Sequence, residues 1–120
     1  METRDEYRMN QAVRAAIEAG IAVRSFDRLV HEDPKVAYEA FALVALMIKA
    51  GETNEIFEAI RVNKDERVKL ALLHVLRAMK DERSLKGLSE LLQSGRCSNA
   101  VLERVESVID SFTATAKSAV

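Results

Sequence analysis

An all-α fold of stacked helix pairs is predicted by three observations: an internal repeat, apolar spacing of helical period, and a composition poor in turn formers. The stretch DPKVAYEAFALVALM beginning at Asp33 returns as DERVKLALLHVLRAM beginning at Asp65. Shifted by 32 residues, Val36 falls on Val68, Ala40 on Leu72, Leu43 on Val75, Met47 on Met79, Ile56 on Leu88 and Ile60 on Leu92. A period of about 20 to 50 residues marks stacked architectures, because each unit must bury its apolar face against the next. One proline and four glycines in 120 residues leave little material for an all-β chain. Ala, Leu, Glu, Lys and Arg, all strong helix formers, dominate instead.

Seven helices, three and a half pairs, follow in order. Thr3 with Glu6 forms a capping box, in which each side chain satisfies a free backbone N–H of the other. The helix it opens carries Met9, Val13, Ala16 and Ile17 on one stripe and stops at Gly20, a suitable left-handed terminator. A short second helix turns Ala22, Phe26, Leu29 and Val30 inward. Asp33 caps the third, with Pro34 at the first helical position, where its missing N–H costs nothing. This helix runs to about Gly51, and residues 53–62 make the fourth, with Ile56, Phe57 and Ile60 as its stripe. Asp65 caps a fifth helix through Met79. Residues 83–94 form the sixth, ending at Gly95. Ser98 caps the seventh, whose stripe is Val101, Val105, Val108, Ile109 and Phe112. Residues 1–112 are thus expected to form a single helical-repeat domain. The closing TATAKSAV, residues 113–120, lacks a stripe and is expected to fray.

The first pair joins the series at a shift of 31, with Gly20 on Gly51, Val13 on Val44, Ile17 on Ile48 and Phe26 on Phe57. The seventh helix joins at 33, with Val68 on Val101 and Leu72 on Val105. The blocks Asp33-Pro34-Lys35-Val36 and Asp65-Glu66-Arg67-Val68 resemble HEAT repeats, which place an Asp before the first helix, then Val and commonly a basic residue. Lys69 fills that basic position after Val68, whereas Ala37 stands there after Val36. The resemblance covers residues 33–92 well and the two ends weakly. It implies a short armadillo-like α-α superhelix used for macromolecular binding.

Bulk properties narrow the function classes. The formal net charge is −1, which creates no global field toward nucleic acid or an anionic membrane. The single cysteine, Cys97, cannot close an intramolecular disulfide, and a reducing cytoplasmic setting is expected. The charged start METRDEYRMN is no signal peptide. The longest apolar run, Ala40 to Ile48, is far short of the roughly twenty residues of a membrane span.

No catalytic residue, cofactor site or metal site is expected. His31 and His74 lie far apart, with no second His or Cys at ligand spacing. Asp65-Glu66 and Asp81-Glu82 read as helix caps and dipole partners. There is no Gly-rich phosphate loop, GxSxG or HExxH.

Function is therefore expected from surface. Polar residues opposite the stripes of the first and last helices suit the capped ends of a complete small array. The third helix is apolar nearly all round, through Phe41, Leu43, Val44, Leu46, Met47 and Ile48. Either it is the central helix, covered by both neighbouring pairs, or part of it forms a homodimer contact. In HEAT-like stacks the second helix of each pair lines the concave face. By that resemblance the candidate partner-binding set is Arg24 and Arg28, then Glu55 and Glu58, then Lys86, Ser89, Glu90 and Gln93. The alternation of sign suits a protein partner with mixed charges of its own. The expected role is a non-enzymatic protein-interaction module or small regulatory subunit, with the partner unidentified.

The alternative is nucleic-acid binding by residues 61–96, which hold nine Lys or Arg against five acids. Those bases split into clusters at the two ends of the fifth helix, about 20 Å apart by helix rise. Acids interleave them, and no aromatic platform accompanies them.

Overall fold

The computed structural model describes residues 3–95 and 97–118, with side chains described through residue 113. Among the described residues the chain is all-helical. Its α-helices are α1 (Arg4–Glu18), α2 (Ile21–Phe26), α3 (Pro34–Lys49), α4 (Asn54–Val62), α5 (Glu66–Met79), α6 (Ser84–Ser94) and α7 (Asn99–Ser118). A 3-10 turn, Asp27–Val30, extends α2.

The helix ends follow from their local chemistry. The Thr3 hydroxyl accepts from the Glu6 N–H at 3.1 Å, and the Glu6 carboxylate accepts from the Thr3 N–H, completing the capping box. Asp33 and Asp65 each accept at 2.9 Å from the N–H two residues on, Lys35 and Arg67. Asp81 does the same with Arg83 at 3.0 Å. The Ser98 hydroxyl accepts from the Val101 N–H at the start of α7 and donates to Glu66, which joins the N-termini of α5 and α7. At the end of α3, Gly51 takes the left-handed conformation (φ 78°). The N–H of Gly51 then reaches the Ile48 carbonyl and that of Glu52 the Met47 carbonyl, two bonds that together close a Schellman turn. The repeat supplies no glycine for the end of α5, where Lys80 itself adopts φ 49°. That conformation costs a β-carbon-bearing residue about 1–2 kcal/mol.

Odd-numbered helices form a row in which α3 meets α1 and α5, and α5 meets α7. On the other side α4 packs against α5 and α6, and α6 against α7. One continuous core runs through all seven helices, from Val13 and Phe26 to Val105 and Val108. In every repeat-matched pair named above from the stripes, at least one partner is fully buried and the other is no less than half-buried. The period in the sequence is thus a period of burial.

The most covered helix is α5, with Val68, Leu72, Leu73, Val75 and Leu76 buried. Of the two expectations for α3, cover by both neighbouring pairs holds for only part of its surface. Val44, Met47 and Ile48 are buried, but Phe41 and Leu43 are half-buried and Leu46 is exposed. The reason is local: α5 has α3 on one flank and α7 on the other, whereas α1, on the far flank of α3, brings only Val13 fully into the core. The backbone of α7 stays helical through residues 113–118, past the end of its apolar stripe; residues 119 and 120 of the expected tail lie outside the described ones.

Polar contacts fasten the turns between units. Arg14 on α1 reaches Glu52 at 2.8 Å, and Asn63 bridges the Asp65 N–H to the Asp27 carboxylate. The Arg83 guanidinium donates to the Lys49 carbonyl at 3.1 Å while also bonding Asp81. A cation at a helix C-terminus complements the exposed carbonyls there. Hydrogen bonds from Arg67 and Arg83 hold the Asp65 and Asp81 carboxyls below the usual carboxylate range.

Those lowered values fix the sign of a pH effect. A carboxyl with a depressed folded-state pKa contributes stability in full above its unfolded value, about 4, and loses it as pH falls through the folded value. The thermal midpoint should therefore hold between pH 7 and 5 and fall below about pH 4. In Asp81→Asn, which keeps a capping side chain but not the charge, the acid limb should be shallower. An acid limb as steep as that of the wild type would show that the Asp81–Arg83 pair does not contribute.

Candidate partner-binding groove

The groove between α4 and α6 begins with a missing side chain. Gly87 faces the ring of Phe57, and a β-carbon at Gly87 would stand 2.4 Å from the Phe57 Cε2 atom. Only glycine lets α6 come this close. Ile56 and Ile60 on α4, and Leu88 and Leu91 on α6, are buried in the shared core and set the two helices' orientation. Phe57, 7% exposed, becomes the floor of a cleft of about 470 Å³.

The walls are charged. Glu55 and Glu58 stand on α4, one turn apart. Lys86 and Glu90 stand one turn apart on α6, and Arg61, Arg83 and the uncharged Thr53 and Asn54 complete the lining. Arg61 is paired with Glu58 at 2.9 Å, and Arg83 with Asp81. With those four charges matched, Glu55, Lys86 and Glu90 are left to present charge to a visitor. Such a cleft can hold an extended or helical segment that brings an apolar side chain to the floor and charges of both signs to the rim.

Of the eight residues expected from the sequence, the structure gathers Glu55, Glu58, Lys86 and Glu90 around this one cleft. Arg24 on α2 and Arg28 on the 3-10 turn are exposed but do not line it, and Ser89 and Gln93 lie exposed on α6 outside its lining. The even helices therefore do not form a single strip of the expected eight. Sequence reasoning missed Phe57 and Gly87 as its floor. An isolated Gly inside a helical pattern was the available signal, because such a residue often marks close packing.

Three of the nine bases of 61–96 are engaged by carboxylates of the chain: Arg61 with Glu58, Arg67 with Asp65, and Arg83 with Asp81, Arg83 also reaching the end of α3. Among the described residues there is no gathering of three His, Cys, Asp or Glu suited to a metal ion. No described helix is long and apolar enough to cross a membrane. Cys97 is half-buried against the core, and the exposed His74 tilts its ring toward Phe41 at a centroid distance of 6.4 Å. No family model, curated protein or solved structure matches the chain.

The Phe57–Gly87 contact generates a direct test. Ala favours a helix interior over Gly by about 1 kcal/mol, but overpacking at a closed contact costs about 1–3 kcal/mol. Gly87→Ala should therefore give a net loss of stability in urea unfolding. Adding Phe57→Leu should recover part of it. If Gly87→Ala instead stabilises by the full propensity term, the ring moves aside freely and the floor is not fixed.

Proposed function

We propose that this chain is a non-enzymatic protein-interaction module, a HEAT-like helical repeat that takes a segment of a partner protein into the α4–α6 groove. The observation that carries the reading is the convergence of Glu55, Glu58, Lys86 and Glu90 on one cleft with an aromatic floor. A surface of mixed sign over an apolar base favours a protein ligand, whose side chains supply both characters. A polyanion would call for a groove of one sign. Here three acids and three bases line the cleft, and two of the bases, Arg61 and Arg83, already answer carboxylates of the same chain. Nucleic-acid binding through 61–96 is therefore the weaker reading. The resemblance of residues 33–92 to HEAT repeats agrees with the protein-binding role.

Quantitative capture from the cells that make the protein is the test, with nuclease treatment before elution. Lys86→Glu together with Glu90→Lys should reduce the specifically captured protein at least tenfold. Arg24→Glu with Arg28→Glu, outside the cleft, should leave it unchanged. Capture that ignores the α6 reversal rejects the groove, and capture abolished by nuclease favours nucleic acid instead.

A further inference from the structure

The second unusual surface shares no lining residue with the groove. Along α3, Tyr38, Phe41, Ala42, Ala45 and Leu46 recur at the i, i+3, i+4, i+7, i+8 spacing of one helix face, yet only Phe41 and Ala45 reach the edge of the core and none is fully buried. Tyr38 is 72% exposed and Leu46 37%, while Phe41, Ala42 and Ala45 are half-buried. Tyr38 and Phe41 border two apolar hollows. One, of about 340 Å³, reaches Pro34 on α3 and Ala71 and His74 on α5. The other, of about 360 Å³, reaches Leu46 and Lys49 on α3 and Met79 on α5. The exposed apolar side chains here adjoin one another through the two hollows rather than standing singly.

We propose that this face pairs with the same face of a second copy of the chain, related by a two-fold axis that sets the two α3 helices antiparallel. The shape and the charge both point to that occupant. A two-fold interface uses one patch twice, so every ridge must find its hollow on the same surface. The Tyr38–Phe41 ridge, with a hollow on either side, meets this condition.

Charge along the face is polar from end to end. α3 and α5 run parallel, since Pro34 shares a hollow with Ala71 and Lys49 shares one with Met79. Glu32, Asp33 and Glu39 outnumber Lys35 around the N-terminal half of α3, whereas Lys49 on α3 and Arg77 on α5, both exposed, stand toward the C-terminal ends. A parallel pairing would set like charges together. The antiparallel two-fold pairing sets the acidic end of each copy over the basic end of the other, and such complementarity fixes orientation.

Sedimentation equilibrium of the full chain tests the proposal. Wild type should sediment at twice the 13.4 kDa chain mass. Tyr38→Glu and Leu46→Glu, both at exposed positions, should each raise the dimer dissociation constant at least tenfold with circular dichroism unchanged. Glu39→Lys and Lys49→Glu should each weaken the dimer, and the two together should restore it, since a two-fold pairing brings the swapped charges opposite each other again. A monomer up to 500 μM, whether or not the face binds a different protein, overturns the proposal. So does a dimer indifferent to Tyr38→Glu and Leu46→Glu, or a double charge swap that does not restore pairing. None of these substitutions lies in the α4–α6 groove, so failure here leaves the groove reading standing.

Discussion

The burial of α5 between its neighbours is the constraint from which the rest of the molecule follows. A helix of 14 residues is marginal alone in water. Burying Val68, Leu72, Leu73, Val75 and Leu76 contributes on the order of 10 kcal/mol before chain entropy is subtracted. That gain exists only while α3, α7, α4 and the 3-10 turn all cover the helix. Each pair is thus incomplete without the next, and the 32-residue register records that dependence. The turn contacts of Arg14, Asn63 and Arg83 hold the units in phase, but they are exposed or half-exposed and individually weak.

Much of this was legible in the chain. The capping box at Thr3, the Asp caps at positions 33 and 65, the Ser98 cap and the terminators Gly20, Gly51 and Gly95 are local signals, and each helix begins or ends where they place it. The apolar stripes were equally readable, because burial periodicity within one helix depends only on that helix. The relative cover of two apolar helices was not. α3 is the more apolar of the two, yet α5 is the more enclosed, because enclosure depends on what each neighbour brings.

The same limit governs the surfaces. Side chains at even-helix positions could be assigned to an outward face, but which of them share a cleft depends on the approach of α6 to α4. That approach is set by Phe57 meeting Gly87, residues two repeat positions out of register with each other. Three bases of 61–96, Arg61, Arg67 and Arg83, looked available in sequence because their pairing partners are set by side-chain geometry. Lys80, directly after α5, takes the left-handed conformation that Gly51 takes one residue further past the end of α3, and from the same four-residue turn Arg83 reaches back onto the end of α3. Two outer surfaces result, a charged cleft on the even helices and an apolar face on the odd ones, and both are held in place by the same central helix.

Native-state hydrogen exchange resolved by residue tests that central role most directly. The amides of α5 between Leu72 and Leu76 should be the slowest in the protein and exchange only through global unfolding, matching the stability from denaturant unfolding. Those of α1 should exchange through smaller openings. Early exchange in α5, with α1 or α6 retaining the slowest amides, would contradict the account.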